Sequence, residues 1–191
     1  MITIGITGTL CAGKGAAVDY LEQKGFKHYS VRAFLAEEVK RRGLELNRDQ
    51  MTIVANDLRA KYSSGYIIET IFAQVQTAAS AGDGTEKGFI IESVRALGEV
   101  DFLQKQPHTV LLAVDADPKI RYNRCVSRAS ALDNVSFEKF ISDERREISP
   151  DPTKGNLLGC IKRADFVIVN DGSLDALHAQ IDAILPEILK K

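Results

Sequence analysis

The sequence predicts an α/β protein, an open parallel sheet of about five strands with helices on both faces. Three observations lead there. Short strand-like segments at 2–6, 26–30, 89–91, 109–114 and 166–169, all but the second largely apolar, alternate with segments of helical spacing. The run at 89–91 is apolar throughout, as expected for a central parallel strand covered on both sides. The first run breaks into a glycine-rich bend, and a helix-forming segment follows at once.

The elements follow in order. The helix opening near Gly13 runs to Lys24, and Gly25 reads as its C-terminal cap. After the strand at 26–30, Val31, Phe34, Leu35 and Val39 have the spacing of a helix that stops at Gly43. Asn47 or Asp49 caps a second helix to about Tyr62, and a third covers 66–79. Three helices exceed what a crossover of roughly a dozen residues needs. The surplus is read either as an inserted flap beside a site or as a packing layer. A helix at 97–103 precedes the strand at 109–114. Pro118 opens the next helix, Ser136 caps another, and an amphipathic helix at 174–189 closes the chain.

With 191 residues the chain suits one well-buried domain, 1–191. Lysine plus arginine (25) nearly balance aspartate plus glutamate (26), a net charge of −1, so neither nucleic acid nor a membrane surface is an expected partner. No apolar stretch is long enough to span a bilayer. The apolar start runs straight into the bend, unlike a signal peptide. Three cysteines, Cys11, Cys125 and Cys160, are widely spaced, so a disulfide framework or zinc site is not expected and the cytoplasm is the expected compartment. Cys11 reads as a small loop filler, although a thiol at a helix N-terminus has a route to a lowered pKa.

The bend Gly8-Thr9-Leu10-Cys11-Ala12-Gly13-Lys14-Gly15 satisfies G-x-x-x-x-G-K, the phosphate-binding P-loop, in its required strand–loop–helix setting. A loop that wraps a polyphosphate turns its N–H groups inward, which residues without a Cβ do without strain. The helix dipole adds positive potential, and Lys14 supplies a mobile charge for the β/γ oxygens. Gly15 and Ala16 stand where a magnesium-binding hydroxyl is usual. Parallel sheets bind ligands at the carboxyl ends of their strands, which directs attention to Glu92, Arg95, Asp115 and Asn170. Glu92 is suited to hold Mg²⁺ through a water, or is a solvated strand end. Asp115 assists the metal or acceptor, or caps the next helix. Arg95 suits an acceptor phosphate, with Arg59 and Arg32 as weaker candidates. Arg121, Arg124 and Arg128 share one helix face with only Asp117 as a nearby acid, which reads as an anion-binding face or a solvated one. The three histidines lack metal-ligand spacing.

These residues resemble the nucleoside-monophosphate-kinase branch of the P-loop kinases, which includes adenylate kinases and dephospho-CoA kinases. GTLCAGKG resembles the adenylate-kinase-like loop, where glycine also follows the lysine. FIIESVR resembles the strand whose acid precedes an acceptor-binding arginine. DPKIRYNRCVSR resembles the helix entering a lid, DERREI the returning lid helix, and IKRADFVIVNDGSLDAL the segment whose Asn-Asp-Gly turn lies against adenine. The pattern also resembles an uncharacterised archaeal family related to dephospho-CoA kinases, and kinase-like domains beside deoxycytidylate deaminases. Two features depart from the resemblance: Ser30-Val31-Arg32 replaces an acid after the second strand, and Leu35-Ala36 replaces an arginine.

The resemblance implies a three-layer P-loop NTPase fold with a five-stranded parallel sheet, a helical acceptor-binding insertion at 31–82 and a short lid at 129–150. It implies ATP and Mg²⁺ as cofactors and phosphoryl transfer to a nucleoside or deoxynucleoside monophosphate, with dephospho-CoA as the alternative acceptor. A regulatory ATP-binding module without transferase activity is the alternative of another class. The implied catalytic residues are Lys14, Glu92, Arg124 and Arg128. Residues 8–16 (Gly8, Thr9, Leu10, Cys11, Ala12, Gly13, Lys14, Gly15, Ala16) and Asn170 would contact ATP. Arg95, Arg59 and Arg32 would contact the acceptor, and Glu92 and Asp115 the metal.

Overall fold

A computed structural model describes residues 1–82, 85–127, 136–146, 148–151 and 153–191, without the side chain of Arg146. Strands β1 (Ile2–Thr7), β2 (Phe26–Ser30), β3 (Gly88–Glu92), β4 (Thr109–Asp115) and β5 (Phe166–Val169) form one parallel sheet in the order β2-β3-β1-β4-β5. The central strand is therefore the one that feeds the glycine-rich bend.

Side-chain alternation along β1 explains the two layers of helices. Ile2, Ile4 and Ile6 face a core shared with Ile90, Leu112, Ile168, helix α1 (Lys14–Gln23) and helix α9 (Leu174–Ile188). Gly5 faces the other side, where a Cβ would come within 2.7 Å of Leu103 and 3.3 Å of Leu111. That second core holds Phe89, Ile91 and Leu111 against α2 (Val31–Arg41), α3 (Arg48–Lys61), α4 (Tyr66–Ala81) and α5 (Leu97–Lys105). Burying each such aliphatic side chain contributes about 1.5–3 kcal/mol.

The helices start where their caps stand. Ser30 accepts from the N–H of Ala33 at α2, Asn47 from Gln50 at α3, and Ser173 from Ala176 at α9. Helices α6 (Pro118–Ser127) and α7 (Phe137–Arg146) pack through Tyr122, whose ring meets Phe137 at 5.3 Å and Phe140 at 5.8 Å. Helix α8 (Leu157–Lys162) has no counterpart in the sequence reading. Its six residues are too few to display a period, yet Asn156 caps it and Leu157 and Cys160 are buried.

The cysteine expectation is overturned. Cys11 and Cys125 form a disulfide, their Cα atoms 5.7 Å apart although 114 residues separate them in sequence. Cys11 is therefore no simple loop filler. Cys160 remains a free thiol, and burial pushes its pKa up to about 12. Among the described residues no helix is long and apolar enough to cross a membrane. The lid expected at 129–150 lies partly outside the described residues, as does Arg128.

Candidate active site

The bend between β1 and α1 is shaped by two glycines that no other residue replaces. Gly8 has φ 137°, and a Cβ there would lie 1.9 Å from the Val114 carbonyl oxygen. Gly13 has φ 103°, and a Cβ there would lie 2.3 Å from Asn170 Nδ2. Both positions combine left-handed backbone with close approach by β4 or by the residue after β5. Gly15 differs, since a Cβ there meets nothing within 4 Å. Helix α1 begins at Lys14 without a side-chain cap, unlike α2, α3 and α9, and has no acid in its first turn. The dipole of such a helix end favours an anion.

The ends of neighbouring strands support this loop. Lys14 Nζ donates to the carbonyls of Gly8 at 2.6 Å and Thr9 at 2.7 Å. The Thr9 hydroxyl donates to Asp115 Oδ1 at the end of β4. Asn170, 5% exposed, donates to the Ala12 carbonyl at 2.8 Å, and its own N–H donates to the Asp115 carbonyl at 2.7 Å. Its amide thus braces the loop from beneath.

The arginine face expected on α6 separates into different roles. Arg121 is 3% exposed and donates to the Ala116 carbonyl and, at 3.4 Å, to the Leu10 carbonyl in the loop. Its partner carboxylate is Glu144 of α7, with 3.1 Å between Nη2 and Oε2, and not Asp117. Asp117 instead accepts the N–H of Lys119 at the start of α6. Arg124 donates to the carbonyls of Asn170 at 2.7 Å and Gly172 at 3.2 Å, fastening α6 to the Asn-Asp-Gly turn.

On the other side of β1, Glu92 ends β3 and accepts from the Ser30 hydroxyl at 2.8 Å. His28 Nε2 stands 3.8 Å from the same carboxylate. The segment after β3 is fastened along its length. Thr7 donates to the Val94 carbonyl at 2.8 Å, and Val94 donates to the Ile6 carbonyl at 3.0 Å. The carboxylate of Glu99 accepts the N–H groups of Arg95 at 2.7 Å and Ala96 at 3.0 Å, while the Arg95 carbonyl accepts from Asn156 at 2.7 Å.

Arg59 is buried against that same Glu99, with Nη2 2.8 Å from Oε1. The two side chains are 4% and 1% exposed, so Arg59 reaches the site only through Glu99 and the backbone of Arg95. Arg32 is exposed on the first turn of α2.

Sequence reasoning directed attention to one crevice at the strand ends; in the structure Asp115 and Asn170 hold the loop of residues 8–16, and Glu92 and Arg95 stand at and after the end of β3, on the other side of β1. Sequence reasoning missed Glu99, Glu144 and the donation from Ser30. Ser30 carried a signal as a cap before a helical run. Glu99 carried a local one, standing three residues after the Ala96 whose N–H it accepts, but nothing local pointed to Arg59, 40 residues away, or from Glu144 to Arg121, 23 residues away.

The loop fits a polyphosphate by its open Gly15, its uncapped helix end and Lys14. Among the described residues no three His, Cys, Asp or Glu side chains cluster as a self-contained metal site. Magnesium held mainly by phosphates and waters needs only one or two carboxylates, and Glu92 and Asp115 are carboxylates at the ends of β3 and β4.

No family model matches the chain. It is similar to a UPF0200 protein of Methanocaldococcus jannaschii, 30% identical over 190 residues that cover 99% of this chain and 91% of that one. A UPF0200 protein of Thermococcus kodakarensis is 26% identical over 194 residues, covering 100% of each chain. Among solved structures, TT1252 from Thermus thermophilus has a TM-score of 0.63 at 22% identity, covering 97% of both chains. The dephospho-CoA kinase of Campylobacter jejuni has a TM-score of 0.54 at 15% identity, covering 99% of this chain and 98% of that one. A shikimate kinase of Bacteroides thetaiotaomicron has 0.56 at 10%, covering 100% and 99%. The fold is that of the P-loop kinases of small substrates.

Proposed function

The chain belongs to the UPF0200 family, and from that premise we propose that it transfers the terminal phosphoryl group of ATP to a small nucleotide-like acceptor, a nucleoside or deoxynucleoside monophosphate first. The observation that carries the reading is the loop of residues 8–16, shaped by Gly8 and Gly13, open at Gly15 and closed by Lys14 at an uncapped helix end.

In this reading the loop N–H groups and Lys14 hold the β- and γ-phosphates, with Lys14 exchanging the carbonyls of Gly8 and Thr9 for phosphate oxygens. Glu92 and Asp115 would hold Mg²⁺, which when bound neutralises charge on the phosphate oxygens. Asn170 keeps the loop in shape, and Arg124 keeps the turn that would border the base. Arg95, its backbone held by Glu99, would grip the acceptor phosphate, with Arg32 at the rim. Catalysis then rests on positioning and electrostatics, without a covalent intermediate.

The test is ADP release over a panel of acceptors. Turnover with monophosphates is expected, and Lys14→Ala lowers it about a hundredfold to a thousandfold while the fold persists. Turnover with dephospho-CoA alone would reassign the acceptor. ATP binding without turnover on any acceptor would replace the kinase by a regulatory module. An undiminished Lys14→Ala variant would rule out the mechanism.

A further inference from the structure

The disulfide joins two parts of the site that the chain keeps far apart. Cys11 lies in the middle of the phosphate loop, and Cys125 follows Arg124 on α6. Cys11 has φ 58°, a left-handed conformation that a residue with a Cβ adopts only at a cost. The ties nearest Cys11 are long, the Ala12 N–H reaching the Thr9 carbonyl at 3.3 Å and Arg121 the Leu10 carbonyl at 3.4 Å. The shorter ones, from Lys14 to Gly8 and Thr9 and from Asn170 to Ala12, hold the loop on either side of Cys11. A covalent link to a packed helix therefore holds the one non-glycine residue of the loop that has a positive φ.

We infer that the Cys11–Cys125 bridge is a reversible thiol modification site whose oxidised form holds the phosphate loop in its nucleotide-binding shape, an inference that rests on the kinase reading. Cys125 is thus a positioning residue, acting through Cys11 on the loop amides. The reductant is a dithiol. One of its thiolates attacks a bridge sulfur, the S–S bond breaks and a mixed disulfide forms. Its second thiol then displaces the protein sulfur. Two electrons and two protons pass to Cys11 and Cys125 as two thiols, and the reductant leaves as its own disulfide. Reversal takes a disulfide oxidant of the same class. Both cysteines are buried, 5% and 2% exposed, in a cluster with Phe140 of α7, so exchange requires that cluster to open.

The experiment compares oxidised protein with protein treated with dithiothreitol. Thiol titration in denaturant is expected to find one free thiol, Cys160, in the oxidised form, and three would overturn the inference. Reduction is expected to raise KM for ATP about tenfold and leave kcat within about twofold, because a loop free to leave the left-handed conformation loses binding rather than chemistry. Cys125→Ser reproduces the raised KM whatever the redox state. Adding Cys11→Gly to Cys125→Ser recovers most of the affinity, since glycine adopts positive φ without strain. Equal KM in both redox states of a one-thiol protein overturns this inference alone, as does failure of the glycine rescue. ATP binding absent from both states removes the kinase reading and this inference with it.

Discussion

The two sides of β1 are built on different principles. On the phosphate-loop side, main-chain geometry dominates. Gly8 and Gly13 leave no room for a Cβ, Asn170 and Lys14 donate to loop carbonyls, and Thr9 reaches Asp115. On the side of α2, α3 and α4, pairing between side chains dominates. Arg59 and Glu99 form a buried ion pair beneath Arg95, while Glu38 gathers Arg41 and Arg42, and Arg42 reaches on to Asp57. A backbone cradle accepts one shape of ligand and tolerates little substitution. A side-chain framework is exchangeable in parts, so under the proposed function acceptor choice would belong to that side and phosphate binding to the other.

The largest test of this contrast is a pair of glycine substitutions. Gly8→Ala forces a Cβ onto the Val114 carbonyl at a positive φ and is expected to destabilise by about 3 kcal/mol or more, read by urea unfolding. Gly15→Ala has open space and a helical position, so stability should stay level or rise by about 0.5–1 kcal/mol while ATP affinity falls. Equal losses at the two positions would break the claim that Gly8 is structural and Gly15 faces ligand.

Next comes Glu99→Gln. Removing one member of a buried pair leaves the Arg59 guanidinium without its counter-charge and is expected to cost about 3–5 kcal/mol. In protein that still folds, KM for the acceptor should rise more than KM for ATP, because Glu99 holds the Arg95 backbone. A rise confined to ATP would place Arg95 on the wrong side of the comparison.

The smallest effect is on pH dependence. The guanidinium groups of Arg41 and Arg42 lower the Glu38 carboxyl from its ordinary 4.5 to about 2. The folded protein therefore binds this proton less readily than the unfolded chain. The contribution is full above pH 4.5 and is lost as pH falls from 4.5 toward 2. Glu38→Gln should flatten the stability profile in that window alone, measured by thermal unfolding. An unchanged profile would remove the pairing of Glu38 with Arg41 and Arg42 from the account.

The sequence by itself determined the strand–helix alternation, the parallel sheet and the phosphate loop. Each is written in local terms: apolar runs, capping residues such as Asn47, and glycines at a fixed spacing. Helix α8 escaped because six residues show no period. Tertiary structure alone decided that Arg59 is spent on Glu99, that Arg121 pairs with Glu144 rather than Asp117, and that Cys11 meets Cys125. The reason is physical. Turn and helix preferences act over a few residues, whereas a charge or a thiol finds its partner only after folding has brought distant strand ends together.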